Sequence, residues 1–262
     1  MKHYVLITGA SSGIGYEMAR QLAALKYNLI LTARSEEVLA ALQQELTTRY
    51  GIEVHYIIKD LTRAGQAAQL FDDIKSAGYE VSHLVNNAGS GSYGSFLESP
   101  LETELDMIAL NVSSLVVLTQ LFAKDMAVRK AGRIMNVSSV IAYLPFPYQS
   151  VYSATKSFVL AFSQAIAAEL QGTGIVVTTL APGVTETAFI SAAMRQTNLV
   201  KANKPVPVHT VAAQGVKLLL HGKGKKIIGF QNRFNSVLAG ILPDGMMMKI
   251  KLKLASTHQG VW

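Results

Sequence analysis

Apolar positions along this chain follow two periods that alternate from one end to the other. Tyr4-Val5-Leu6-Ile7, Asn28-Leu29-Ile30-Leu31 and the runs 53–58, 81–85, 133–138 and 175–180 are short and nearly continuous in apolar or β-branched residues. Strands buried on both faces read this way. Between them lie longer stretches whose apolar residues recur every three or four positions, as Ile14, Met18, Leu22 and Leu25 do. Such spacing predicts a helix ending near Lys26 and further helices over 36–49, 63–77, 101–129, 152–170 and 210–221, before a last strand at 226–230. In the 101–129 stretch Leu105, Ile108, Val112, Leu115, Leu118 and Phe122 form one broad apolar face. Alternating strands and helices, without internal repeats or a Pro/Gly-rich linker, predict a single α/β domain over 1–262 built on a doubly wound parallel sheet.

Composition narrows the function classes. Half of the 262 residues are apolar, enough for a substantial core, and the chain has no cysteine. That excludes disulfide frameworks and any thiolate nucleophile or thiolate metal site. Met1-Lys2-His3 leads into only four apolar residues before Thr8 and Gly9, too short for a secretory signal, and no run reaches membrane-spanning length. The expectation is a cytoplasmic protein. The net charge of +7 is concentrated at the C-terminal end, where seven Lys/Arg against Asp244 after Gly222 leave +6 there and +1 in the body. A nearly neutral body argues against nucleic acid as a partner.

The segment 231–262 forms a basic, apolar tail. Residues 235–242 predict a short amphipathic helix ended by Pro243, and the strict alternation Lys249-Ile250-Lys251-Leu252-Lys253-Leu254 predicts an exposed strand. With Met246–Met248 this tail suits either peripheral contact with an anionic membrane or a cover over a substrate pocket, its own or a neighbouring subunit's.

Candidate chemistry sits at the ends of the predicted strands. Gly9-Ala10-Ser11-Ser12-Gly13-Ile14-Gly15 joins the first strand to the first helix, so its backbone N–H groups can hold a pyrophosphate at a helix N-terminus. The second strand ends at Ala33-Arg34 rather than at an acid. A guanidinium there, with Ser11 and Ser35 beside it, suits a 2′-phosphate and so NADP(H), with NAD(H) the less favoured alternative. Glu36 and Glu37 suit the dipole of the following helix start. Tyr152 and Lys156 lie four residues apart, on one face of the helix 152–170. An ammonium about 4 Å from a phenol, at an effective dielectric near 20, favours the phenolate by roughly 4 kcal/mol, which would poise Tyr152 as an acid or base near neutrality.

Taken together, Thr8-Gly9-Ala10-Ser11-Ser12-Gly13-Ile14-Gly15, Asp60, Asn86-Asn87-Ala88-Gly89, Asn111, Ser139, Tyr152-x-x-x-Lys156 and Pro182-Gly183 closely resemble the short-chain dehydrogenase/reductase family over nearly the whole chain. Tyr143-Leu144-Pro145-Phe146-Pro147-Tyr148 resembles a bacterial branch akin to steroid and long-chain ketoacyl reductases. The resemblance implies a seven-stranded Rossmann fold with helices on both faces, and a core over 1–187 followed by a substrate lid over 188–208. It implies Tyr152 as proton carrier, Lys156 on the nicotinamide ribose, Ser139 on the developing oxyanion and Asn111 positioning a water. Asp60 and Leu61 would lie near the adenine, Asn87, Ala88 and Gly89 by its ribose, and Pro182, Gly183, Thr185 and Thr187 at the nicotinamide. Phe96, Leu144, Phe146, Tyr148, Phe189, Ile190 and Met194 are the expected substrate liners, and with no obvious charge among them they suit an apolar ketone, aldehyde or alcohol. Pairing through the helices 101–129 and 152–170 into a homodimer or homotetramer is also implied. The rival expectation is a nucleotide-sensing or scaffold protein that has lost turnover, against which both Tyr152 and Lys156 are present.

Overall fold

The computed structural model describes residues 2–143, 146–187, 189, 192–198, 200, 205–229, 232 and 244–255. Seven strands form one parallel sheet in the order β3-β2-β1-β4-β5-β6-β7: β1 His3–Thr8, β2 Asn28–Ala33, β3 Val54–Ile58, β4 Glu80–Asn86, β5 Gly132–Val137, β6 Ile175–Ala181 and β7 Gly224–Ile227. The order reverses between β1 and β4, and that reversal opens a crevice beyond the strands' carboxyl ends. Helices α1 Gly13–Ala24, α2 Glu36–Tyr50, α3 Gln66–Ser76, α4 Leu101–Ile108, α5 Ser114–Arg129 and α6 Ser150–Glu169 fill the first crossovers. The short α7 Ala192–Arg195, then α8 Val208–His221 and α9 Asp244–Ala255, follow β6 and β7.

Side-chain alternation along each strand divides the core in two. Val5, Ile7, Leu29, Leu31, Val85, Met135 and Leu180 point to the face covered by α1, α2 and α8, meeting Met18, Leu22, Leu39, Leu46, Val211 and Leu219. Leu6, Ile30, Leu84, Ile134 and Val177 point the other way, onto Leu70 and Ile74 of α3 and Leu118, Phe122 and Met126 of α5. Both faces being buried is why these strands read as continuous apolar runs.

Three sequence expectations change. The helix over 101–129 is interrupted by a π-helical turn, Ala109–Ser113, and Leu105 and Ile108 of its expected buried face are 55% and 39% exposed. The extra residue of the π turn rotates α4 relative to α5, so the apolar stripe does not run through both. By length and hydropathy this helix passes as a membrane span, against the expectation of none, yet Leu118, Phe122 and Met126 are packed in the core. The alternating run 249–254 is helical rather than extended, because Met, Lys, Leu and Ala are strong helix formers and four-residue spacing puts Lys251 and Ala255 on the buried face. The expected helix at 235–242 lies outside the described residues.

Candidate active site

Residues from six strand ends line a single cleft of about 1160 Å³ that runs along the carboxyl edge of the sheet. Its first wall is the turn between β1 and α1. Gly9 and Gly13 have φ of +66° and +59°, and a Cβ on Gly9 would sit 2.8 Å from the Ala88 Cα, so only glycine fits this close approach. Thr8 Oγ1 accepts hydrogen bonds from the backbone N–H of Asn87 (3.0 Å) and Ala88 (2.9 Å), and Asn87 Nδ2 donates to Thr8 O (3.0 Å). The loop after β4 is thereby fixed against the glycine turn. Gly9, Ser11, Ser12, Gly13 and Ile14 face the cleft, whereas Gly15 does not. A Cβ there would meet Asn87 Nδ2 at 2.4 Å, so Gly15 serves the packing beneath the turn rather than a ligand.

Arg34 and Ser35 close this end, with Asp60, Leu61 and Thr62 from the loop after β3. Glu36 and Glu37 stay in the exposed first turn of α2 and do not line the cleft. Burial pushes the Asp60 carboxyl up, but the Thr62 hydroxyl (2.8 Å) and N–H (3.1 Å), with Arg34 and Arg63 nearby, hold it below its ordinary value. Asn87, Ala88 and Gly89 line the middle of the cleft, and Pro182, Gly183, Thr185 and Thr187 its opposite wall. Thr185 pairs with Val206 as an isolated bridge, and Val206 N donates to Val184 O at 2.9 Å, tying together the two ends of the expected lid. A glycine cradle ending at a helix N-terminus, with a guanidinium at the second strand's end, fits a dinucleotide carrying a 2′-phosphate.

At the centre, α6 presents Tyr152 and Lys156, 8% and 5% exposed. Lys156 Nζ stands 5.8 Å from the Tyr152 ring centroid and donates to Val137 O at 3.0 Å. Ser138 and Ser139 both line the cleft, but Ser138 Oγ donates to Lys156 O (2.8 Å), and it is Ser139 whose side chain hydrogen-bonds Tyr152. The expected lowering of the tyrosine does not hold here. Burial pushes the Tyr152 hydroxyl up to about 12, against a smaller opposing pull from its hydrogen bond with Ser139. Burial likewise pushes Lys156 down to about 8. Desolvation penalises the charged form of each, and it outweighs an attraction whose ammonium is engaged by the Val137 carbonyl.

Asn111 lies behind this pair, not in the cleft wall. The π turn carries it inward to 1% exposure, where Oδ1 accepts from Ser90 N (3.0 Å) and Nδ2 donates to Ser90 O (2.9 Å) and Thr155 Oγ1 (3.1 Å). A Cβ on Gly89 would lie 3.1 Å from Asn111 Oδ1 and 3.3 Å from Lys156 Nζ. Asn111 therefore holds the loop after β4 against α6 beside the lysine. That hydrogen-bonding is distinct from the water contact the resemblance implies.

Beyond Tyr152 the cleft turns apolar. Phe146, Phe189 and Met194 line it as expected, and the Phe189 ring packs 5.4 Å from that of Tyr152. Phe96 is 67% exposed and away from the cleft, and Tyr148, with φ +61°, turns its ring to Tyr93 instead. Leu144 and Ile190 lie outside the described residues. Gln149, Ile250, Lys251, Leu254 and Asn232 also line the cleft without having been expected to. Gln149 had a signal, three residues before Tyr152, and the basic, apolar tail had one as a segment, although its pattern did not single out which tail residues reach the cleft. Helix α9 thus covers the substrate end, the second of the two roles the tail sequence suits.

Comparison with known proteins agrees with this geometry. The short chain dehydrogenase family profile matches residues 3–198. A very-long-chain 3-oxoacyl-CoA reductase of Anas platyrhynchos is 31% identical over 95% of this chain and 79% of its own. Sulfoacetaldehyde reductase 2 of Chromohalobacter salexigens is 38% identical over 72% of this chain and 75% of its own. The chain spans only 61% of the human 17-beta-hydroxysteroid dehydrogenase type 3, at 37% identity over 72% of its own length. Among solved structures, a short-chain dehydrogenase from Sphingobium yanoikuyae in complex with NADPH superposes with a TM-score of 0.79 at 28% identity, covering 93% of this chain and 94% of that one. The chain belongs to the short-chain dehydrogenase family of oxidoreductases.

Proposed function

We propose that this protein interconverts an apolar ketone or aldehyde and the corresponding alcohol, using NADP(H), with Tyr152 as the group that moves the proton. The observation that carries the reading is the buried Tyr152–Lys156 pair with Ser139 beside it, midway between the Arg34 end of the cleft and its apolar end. NADP(H), when bound, would supply the hydride chemistry of the nicotinamide. Arg34 and Ser35 would hold its 2′-phosphate, the Gly9–Gly13 turn its pyrophosphate and Lys156 its nicotinamide ribose.

In reduction the chain must deliver a proton to the carbonyl oxygen. A hydroxyl whose pKa burial raises to about 12 stays protonated at neutral pH, the form this step requires. Donation leaves a phenolate on Tyr152, which the Ser139 hydroxyl and the Lys156 ammonium stabilise as it forms. Phe146, Phe189 and Met194 exclude water from the reacting carbonyl. The names of two relatives, a 3-oxoacyl-CoA reductase and a sulfoacetaldehyde reductase, and the NADPH in the Sphingobium yanoikuyae structure support a reductase reading.

The test is NADPH oxidation with a panel of apolar ketones, on wild type, Tyr152→Phe and Arg34→Ala. Tyr152→Phe is expected to lower kcat by about 10²–10⁴-fold, the usual worth of a positioned acid. Arg34→Ala is expected to weaken NADPH relative to NADH by roughly 10–100-fold, the worth of a charge-assisted hydrogen bond. Turnover retained by Tyr152→Phe would remove the proton-carrier assignment.

A further inference from the structure

We propose that Gln149 is a specificity residue whose side-chain amide donates to a neutral oxygen of the substrate, a hydroxyl or second carbonyl a few bonds from the reacting carbonyl. The assignment rests on the carbonyl-reducing reading above and narrows its substrates to apolar chains that carry one such group. Gln149 lines the cleft, is 3% exposed and forms the N-cap of α6, three residues before Tyr152. Its main chain is fixed. Tyr148, with φ +61°, turns the chain just before it, Gln149 N donates to Phe146 O at 3.2 Å, and Gln149 O accepts from Ser153 N at 2.8 Å. The loop that its side chain meets is fixed as well. Ser92 Oγ donates to Glu104 Oε1 at 3.0 Å, Ser99 Oγ donates to the same oxygen, and Gly94 N donates to Tyr148 O at 2.9 Å. A Cβ on Gly91, next to Ser92, would lie 2.6 Å from Phe189 and 3.2 Å from Tyr152, so loop, glutamine and tyrosine meet in one place.

Within that rigid frame the Gln149 amide itself is held loosely. Its Nε2 donates to Ser92 O at 3.4 Å and to Met194 Sδ at 3.6 Å. The first is longer than the usual N–H···O bond of about 2.7–3.2 Å, and a thioether is a weak acceptor. Other polar side chains near it are engaged: Ser139 bonds Tyr152, Asn232 Nδ2 donates to Ile228 O at 2.8 Å, and Lys251 has a partner of its own. The walls around the amide are Phe146, Phe189 and Leu254. A buried amide in apolar surroundings favours a ligand atom that completes its hydrogen bonding, and a neutral one, because the amide brings no charge to offset another. A substrate oxygen at ordinary hydrogen-bond distance would replace the two long contacts and fix which way the chain lies across Tyr152. A hydrocarbon ketone has no atom to offer there.

Two ketones that differ by a single hydroxyl, 2-nonanone and 4-hydroxy-2-nonanone, test this on the full-length protein. Turnover is followed as NADPH oxidation, and binding by calorimetry on protein saturated with NADP⁺, where no reduction occurs. Wild type is expected to favour the hydroxyketone about three- to tenfold in both Kd and kcat/KM, the worth of one neutral hydrogen bond. Gln149→Met, unbranched and of similar size, and Gln149→Leu are expected to bring that ratio to one or below. A wild-type ratio near one, or no binding of the hydroxyketone, overturns the proposal without any variant. A preference that survives Gln149→Met overturns it too. Preferential binding of the hydroxyketone without turnover of either compound would instead remove the carbonyl-reducing reading and leave the Gln149 contact standing.

Discussion

Burial acts on Tyr152 and Lys156 in the same way and with opposite results, raising one pKa to about 12 and lowering the other to about 8. Because these shifts separate folded from unfolded chains, they make stability depend on pH. Below about 8 Lys156 is charged in both states, and the folded state bears the full desolvation cost, on the order of 3 kcal/mol for a lysine displaced from 10.5. As pH rises from about 8 to 10.5 the folded state loses its proton first, the unfolded state holds more protons, and stability rises. Tyr152 adds the reverse slope, because between 10 and about 12 the unfolded state ionises first and stability falls. Lys156→Met should therefore be more stable than wild type at pH 7, by about 2–3 kcal/mol, with the gap narrowing towards pH 10.5. Urea unfolding of both proteins across that range checks it, and a gap independent of pH would show that burial does not strain the lysine. The active site then costs stability that turnover requires.

At the scale of elements, the α4–π–α5 unit shows how a local irregularity builds the site. A regular helix over 101–129 would continue one apolar stripe, but the π turn moves Asn111 inward, where its amide meets both backbone groups of Ser90 and the Thr155 hydroxyl. Asn111→Ala would leave the Ser90 N–H and C=O without their partners. The expected outcome is a loss of about 2–4 kcal/mol of stability, with faster amide exchange at Ser90. Unchanged exchange at Ser90 would mean that another group holds the loop. The strands, the glycine turn and the pair on α6 were legible in the sequence because each depends on local period or fixed spacing. The π turn was not, since it rests on contacts between residues 21 and 44 positions apart. Helix α9 was misread because six alternating residues satisfy a strand's period, and only packing against the cleft shows that Lys251 and Ala255 share a face. Phe96 and Tyr148 were expected in the site because they stand in the segments that line the pocket in the family the chain resembles, but here Phe96 is exposed and the Tyr148 ring packs on Tyr93.

For the whole molecule, some of the large apolar residues left exposed lie singly, as Leu25, Val38, Ile58 and Val128 do, whereas another group falls on α4 and α6. Leu101, Leu105 and Ile108 of α4 are 72%, 55% and 39% exposed and follow i, i+4, i+7 spacing, so they form one stripe. Phe96 and Leu97, 67% and 93% exposed, lead into it. On α6, Phe158 is 42% exposed and stacks on Phe162 with ring centroids 5.7 Å apart. A contiguous apolar surface of this kind is costly in water and marks an interaction face. We propose that its occupant is a second copy of this chain, since a stripe shared by two helices can meet itself across a two-fold axis. A stable dimer of this sort buries roughly 1,600 Å² in total. Replacing Leu105 and Ile108 together by Glu places four carboxylates at the centre of such a contact, and neither side chain lines the cleft. Light scattering after size exclusion should give twice the chain mass of 28.2 kDa for wild type and a single chain mass for the double variant. A wild-type protein that stays monomeric at tens of micromolar, or a variant that stays dimeric, would rule this face out as the contact between copies.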